Sequence, residues 1–326
     1  YQTATGNRLL SDGTYNYDYD NEGNLIRQTE IATGNIQELE WDYRNRLVAV
    51  IDKDATGNET QRVEFTYDAL DRRISKTVDT NPQDNVTGET IHFVYNQDDV
   101  HLEFTDNDGA QPTLSQRYLH GANVDQILAQ ENSEGNINWH LTDRLGTVKD
   151  LVDNSGDVAN HLTYDSFGKV ITETDSSVDT RYLFTGREFD DETGLYYYRA
   201  RYYDAEVGKF ISEDPIGFEG GDFNLYRYIG NNPINFIDPL GLDPITVGTG
   251  DLRNIKDGLG KASDILDSIP PKFLPSDIKK PTKKTIKNVK DALDKIPLPP
   301  PGIDVDLTFD PDNNSVGVSC SINLKF

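Results

Sequence analysis

Tyr19-Asp20-Asn21-Glu22-Gly23-Asn24-Leu25 sets the pattern from which this chain is built. It returns 22 residues later as Trp41-Asp42-Tyr43-Arg44-Asn45-Arg46-Leu47, and 26 after that as Tyr67-Asp68-Ala69-Leu70-Asp71-Arg72-Arg73-Ile74. A further copy is Tyr164-Asp165-Ser166-Phe167-Gly168-Lys169-Val170. Each unit has an aromatic, an aspartate, a turn of Gly, Asn or Asp, a basic or polar residue, and then an aliphatic. Gly, Asn and Asp tolerate the positive φ that tight hairpin turns need. The flanks alternate, as in Val63, Phe65, Tyr67 and in Ile91, Phe93, Tyr95, and a period of two marks strands with one buried face. Tyrosine suits such strands because the ring packs while the hydroxyl finds a partner. Repeated hairpins bury their faces only against neighbours, so the expected fold is a long twisted β-sheet that spirals or wraps.

The composition divides the chain. Residues 1–242 hold 19 Lys+Arg against 44 Asp+Glu and carry the whole net charge of −25, whereas residues 243–326 hold 12 of each. All 17 tyrosines precede residue 243. The acidic part repels nucleic acid and anionic membrane surfaces. No run of apolar residues is long enough for a transmembrane helix, and the single Cys320 excludes an internal disulfide framework. The chain has no methionine and begins at Tyr1, which reads as a fragment or processed piece. No GxGxxG, Walker or GxSxG motif is present, so no cofactor and no ordinary multiple-turnover site are expected in the acidic part.

The repeats resemble the YD repeats of the Rhs family, which also includes the C component of tripartite toxin complexes and the teneurins. His140-Leu141-Thr142-Asp143-Arg144-Leu145-Gly146-Thr147-Val148 is similar to that family's histidine-aspartate-leucine-glycine repeat. The run from Phe184 to Asp204, which includes Tyr196-Tyr197-Tyr198-Arg199-Ala200-Arg201-Tyr202-Tyr203, resembles the Rhs core signature. So do Gly208-Lys209-Phe210-Ile211-Ser212-Glu213-Asp214-Pro215-Ile216-Gly217 and the closing Asp238-Pro239-Leu240-Gly241-Leu242. The resemblance covers residues 15–242. It implies a mainly β fold in three parts: a YD-repeat β-sheet shell over 1–180, a core-associated plug over 181–242, and a small variable α+β tail over 243–326. The implied function is toxin delivery, with the shell enclosing its own C-terminal tail as cargo, and a closed cocoon expects shell upstream of residue 1. Secretion-apparatus proteins and an immunity protein are the other implied partners, and the implied location is secreted or cell-surface. The alternative is a surface structural or adhesive YD-repeat protein without toxic cargo.

The resemblance further implies self-cleavage after the leucine of the closing motif, between Leu242 and Asp243, by an intramolecular pair of aspartates. Asp214 and Asp238 match those positions. Two close carboxylates share a proton, so one activates water while the other protonates the carbonyl or the leaving amine. A scissile bond in the same chain needs no binding step. The bland reading of both Asp-Pro pairs is turn capping. The family pattern also has an arginine near the first aspartate; here Glu213 directly precedes it, Lys209 lies upstream, and Arg227 is the candidate substitute.

Other clusters read as structural. Asp18, Asp20 and Glu22 have the spacing of a calcium loop but Thr29 stands where the bidentate glutamate belongs, so these and Asp153-Asn154-Ser155-Gly156-Asp157 are expected to be hairpin turns. The five histidines show no metal-ligand spacing. In the tail, helical periodicity over Leu252–Ile269 and Ile286–Ile296 and alternation over Ile303–Phe309 and Val316–Phe326 predict two amphipathic helices and a hairpin. The tail lacks His and Glu, which disfavours a His- or Glu-dependent enzyme there.

Overall fold

The computed structural model describes residues 1–246 apart from 85, 87, 108, 122 and 243, and the backbone of 303–310 and 315–322. The chain forms two compact units, Tyr1–Ile245 and Thr246–Phe326.

In the first unit each repeat aspartate organises its own turn. The Asp42 Oδ1 accepts the backbone N–H of Arg44 and Arg46 at 2.8 and 3.0 Å. Asp68 does the same with Leu70 and Arg72, and Asp165 with Phe167 and Lys169. Asp54, Asp143 and Asp153 repeat the geometry outside the aligned units. Three residues after the aspartate the backbone turns left-handed: Gly23, Asn45, Asp71 and Gly168 have φ of 86°, 57°, 64° and 93°. This is a three-residue hairpin loop closed by a left-handed residue and a bulge. The bulge falls beside the unit's aromatic, between Glu40 and Trp41, Thr66 and Tyr67, and Thr163 and Tyr164.

The aromatics stitch the units together. Trp41 Nε1 donates to the Leu25 carbonyl, Tyr67 Oη to that of Leu47, and Tyr95 Oη to that of Arg73, each at 2.7 Å. In each case the acceptor is the fifth residue after the preceding unit's aspartate. The sequence pattern puts the aliphatic of the third unit at Ile74. The structure instead places Arg73 in register with Leu25 and Leu47, fully buried.

Sixteen strands, from Gln2–Thr3 to Val170–Glu173, pair in chain order as one antiparallel sheet. Laid flat it would span about 70 Å at the usual strand spacing. Yet residues near both edges touch the segment 182–242. Near one edge Leu25 N–H donates to the Ile211 carbonyl and Tyr226 Oη to that of Gly23. Near the other, Tyr196 and Tyr203 hydroxyls donate to the carbonyls of Gly168 and Phe167. The sheet therefore curls about this inner segment, as the repeat pattern predicts.

The inner segment holds a four-stranded sheet, Glu188–Asp190, Leu195–Tyr198, Arg201–Asp204 and Lys209–Phe210. Leu195–Tyr198 and Arg201–Asp204 are buried at every position, because both faces meet other layers. Their tyrosines keep their hydroxyls paired, as in the run Thr185 Oγ1, Tyr198 Oη, Tyr228 Oη at 3.0 and 3.1 Å.

Charge is buried where the sheet meets this segment. Arg73 contacts Glu188 and Asp190, within cation–π range of Phe65, Phe93, Tyr197 and Tyr202. Arg181 bridges Glu103 and Glu188, and Arg187 pairs with Asp125 at 2.6 Å. A charge without solvent persists only when paired in this way.

In the acidic loops Asp20 accepts from the Asn24 backbone and side chain, and Asp153 from the Ser155 and Asp157 backbone, so these two aspartates serve their own turns. Buried His140 meets Thr180 at 2.9 Å, and burial pushes its pKa down to about 3. In the second unit Ile303–Asp310 and Ser315–Ile322 form the expected antiparallel hairpin, with Val305 opposite Cys320 and Leu307 opposite Val318. The two expected helices lie outside the described residues.

Candidate active site

Asp214 follows the inner segment's last strand, and Asp238 follows the short strand Phe236–Ile237. Both cap turns, as Asp-Pro pairs do: Asp214 Oδ1 accepts Ile216 N–H at 3.0 Å, and Asp238 Oδ1 accepts Leu242 N–H at 2.9 Å. Their other oxygens meet on one nitrogen. Arg201 Nη2 lies 3.0 Å from Asp214 Oδ2 and 3.3 Å from Asp238 Oδ2. Capping and convergence are thus two uses of the same carboxylates.

The arginine near the aspartates is Arg201, not Arg227. The Arg227 guanidinium is committed to Asp222, with Nε and Nη2 each 2.6 Å from a carboxylate oxygen. Lys209 pairs through its backbone with Arg227, and burial pushes its ammonium pKa down. The position just before Asp214 is taken by Glu213, which faces Arg8. Proximity in sequence pointed to the wrong cation. The signal available in the sequence is the pair Arg199 and Arg201 inside the tyrosine run, where Arg199-Ala200 form the turn and Arg201 opens the next strand.

That turn grips the closing motif. Arg199 Nη1 donates to the Pro239 carbonyl, Ala200 N–H to that of Leu240 at 3.2 Å, and Arg201 Nε to that of Gly241 at 2.5 Å. Three consecutive residues thus hold three consecutive carbonyls, directly before the Leu242–Asp243 bond. Gly241 has φ +68°, and a Cβ there would lie 2.4 Å from the Tyr198 carbonyl oxygen, so only glycine fits.

Burial pushes the Asp238 pKa up to about 6; Arg201 and the Leu242 N–H pull against this, while Asp214 adds to it. A Cβ built on Gly220 would sit 3.4 Å from Asp214 Oδ2 and 3.5 Å from the Leu242 carbonyl oxygen, which places carboxylate and carbonyl beside the same residue. A cavity of about 40 Å³ bordered by Arg201, Asp214, Gly220, Asp238 and Leu242 lies there, room enough for a water molecule. Among the described residues no three His, Cys, Asp or Glu side chains converge as metal ligands.

Residues 3–234 match the family model of the teneurin YD-shell. The chain belongs to the Rhs/YD-repeat family. The YD-shell match ends before Asp238, so it does not extend to the closing motif. Similar proteins include the double-stranded DNA deaminase toxin A of Burkholderia cenocepacia, 33% identical over 73% of this chain and 17% of that protein. They also include the tRNA3(Ser)-specific nuclease WapA of Bacillus spizizenii, 31% identical over 72% of this chain and 9% of that one. The chain therefore spans less than a fifth of the length of these relatives. A crystal structure of a TcdB2–TccC3 assembly shares the fold, with a TM-score of 0.52 and 22% identity over 70% of this chain and 13% of that chain. The family rests on the sequence match, and the structural likeness shows the same fold.

Proposed function

We propose that this YD shell is the C-terminal part of an Rhs-type toxin-delivery protein, and that it cleaves its own chain between Leu242 and Asp243 to free the tail it encloses. The observation that carries the cleavage is the convergence of Asp214 and Asp238 on Arg201 while residues 199–201 hold the carbonyls of 239–241. The deaminase toxin and the tRNA nuclease named above, each matching more than two thirds of this chain, support the delivery role.

In the proposed reaction a water attacks the Leu242 carbonyl carbon and gives its proton to the Asp214 carboxylate. Asp238, whose raised pKa keeps much of it protonated in mild acid, donates a proton to the Asp243 nitrogen as the C–N bond breaks. The products are a Leu242 carboxylate and an Asp243 amine. Arg201 neutralises charge on the pair and orients Gly241. The clamp keeps Leu242 in place after the bond breaks, so the site turns over once.

The test is the intact mass of the folded 326-residue chain. Cleavage with a new N-terminus at Asp243, abolished in Asp238→Asn and Asp214→Asn, supports the reading; a chain that stays whole under folding conditions sinks it. Acid cleavage at the Asp214–Pro215 or Asp238–Pro239 bonds gives different masses. The reading as a structural surface protein draws on the match to salivary gland surface protein 1 of Aedes aegypti, 29% identical over 70% of this chain. Expressing residues 243–326 in bacterial cytoplasm and periplasm separates the two, since growth arrest in either compartment favours a toxic cargo.

A further inference from the structure

Glu213, the residue just before Asp214, does not face the aspartate pair. Its Oε1 accepts from Arg8 Nη2 at 3.3 Å and lies 3.3 Å from the Tyr226 hydroxyl oxygen. The same hydroxyl donates to the Gly23 carbonyl at 2.7 Å. A Cβ on Gly23 would lie 2.5 Å from Glu213 Oε1, so the first repeat turn packs directly on this side chain. Leu25 N–H donates to the Ile211 carbonyl at 2.9 Å, and the Tyr19 and Tyr226 rings meet edge-on at 5.7 Å. Leu9, Tyr17, Leu25 and Ile211 share one apolar cluster.

These contacts join residues about 200 positions apart in the chain, and they end one bond from the site. The Leu225 carbonyl, next to Tyr226, accepts from Asp214 N–H and from Arg201 Nη1, both at 3.1 Å. The first hairpins therefore press on Glu213 and Tyr226, whose immediate neighbours hold Asp214 and Arg201. A segment that is either docked or undocked, and that the site depends on, is the physical element coupling requires.

We propose that docking of the first YD hairpin is a gate on the protease: Glu213 and Tyr226 are positioning residues that bring Asp214 onto Arg201 only once the sheet has closed on the inner segment. This rests on the proposed cleavage. Its consequence is order, with cargo released after this hairpin docks and not before. The charge at Glu213 serves the gate and not the chemistry, which explains an acid beside a carboxylate pair.

The test uses the full chain with Arg8→Glu, Glu213→Arg and the two combined. The Arg8–Glu213 pair is about a third exposed on each side, so melting temperature changes little. The expected result is a cleavage rate slowed about tenfold in each single variant, within what such coupling carries, and restored in the charge-swapped double. Hydrogen exchange at the Leu242 amide, bonded to Asp238, is read alongside in chain that keeps Asp238 and is held uncleaved at high pH, and it speeds up in the single variants. Single variants that cleave at the wild-type rate, or a Leu242 amide whose exchange does not change, overturn the gate. A wild-type chain that never cleaves overturns the proteolysis instead, and the exchange measurement still decides the gate.

Discussion

Replacing Arg73 with methionine tests what holds the curled sheet to the inner segment. Methionine fills much of the same volume, so the perturbation is chiefly electrostatic. Arg73 is fully buried and contacts Glu188 at 3.0 Å and Asp190 more closely still. Burial raises the carboxyl pKa of Asp190, and Arg73 foremost overcomes this, with Lys76 and Arg181, to hold it at about 2. Against the ordinary carboxylate value that depression corresponds to about 2–3 kcal/mol of folding free energy. Breaking a buried pair leaves carboxylates without their main partner and costs about 3–5 kcal/mol. Asp190 retains Lys76 at 3.3 Å and Glu188 retains Arg181 at 3.0 Å, so the lower part of that range is expected, about 3 kcal/mol. For a unit of this size the melting temperature falls by about 6 °C. Urea unfolding of the full chain, followed by far-ultraviolet circular dichroism, gives the free energy directly. The triple change Arg73→Met, Glu188→Gln, Asp190→Asn should recover much of the loss, because no charge is then left buried without a counter-charge. A loss below about 1 kcal/mol in the single variant, the level of an exposed pair, refutes the reasoning.

Gly241→Ala forces a Cβ against the Tyr198 carbonyl and should abolish cleavage while leaving the repeat strands folded, which mass and circular dichroism report together. Asp68→Ala removes the acceptor for the Leu70 and Arg72 amides and should cost about 1–2 kcal/mol in urea unfolding; equal stability to wild type would show that the turn does not need it. Asp204 is buried and its pKa is pushed up to about 6, chiefly by burial. The folded state therefore binds this proton more tightly than the unfolded one, so Asp204 destabilises at neutral pH and the penalty fades as pH falls from 7 towards 4. Asp204→Asn should accordingly raise the melting temperature at pH 7 and have little effect at pH 4. The raised Asp238 pKa predicts that the cleavage rate climbs as pH drops through about 6, and a rate that falls there would remove Asp238 as the acid.

The repeat was legible because its physics is local. An aspartate that accepts N–H groups of its own turn, and a residue three places on that must turn left-handed, leave a fixed mark in the sequence at Asp20–Gly23, Asp42–Asn45 and Asp68–Asp71. Arg73 was not legible as a core residue, because its position in the pattern is aliphatic in the other units and its partners Glu188 and Asp190 lie more than 110 residues away. The aspartate pair came from the two Asp-Pro motifs of the family resemblance, but its arginine did not. Nothing in the spacing of Arg201 from Asp214 and Asp238 says that they meet; the hydrogen bonds of residues 199–201 to the carbonyls of 239–241 bring them together. The same holds for Glu213, whose role is set by Arg8 and Gly23 at the far end of the chain.

The most direct test of the account is timed mass spectrometry of the refolding chain at pH 6, wild type beside Arg201→Gln. The wild type should yield a new amine at Asp243 and a new carboxyl at Leu242, and the variant should fold but stay whole. Cleavage of the variant at the wild-type rate, or a wild type that remains intact once folded, would contradict it.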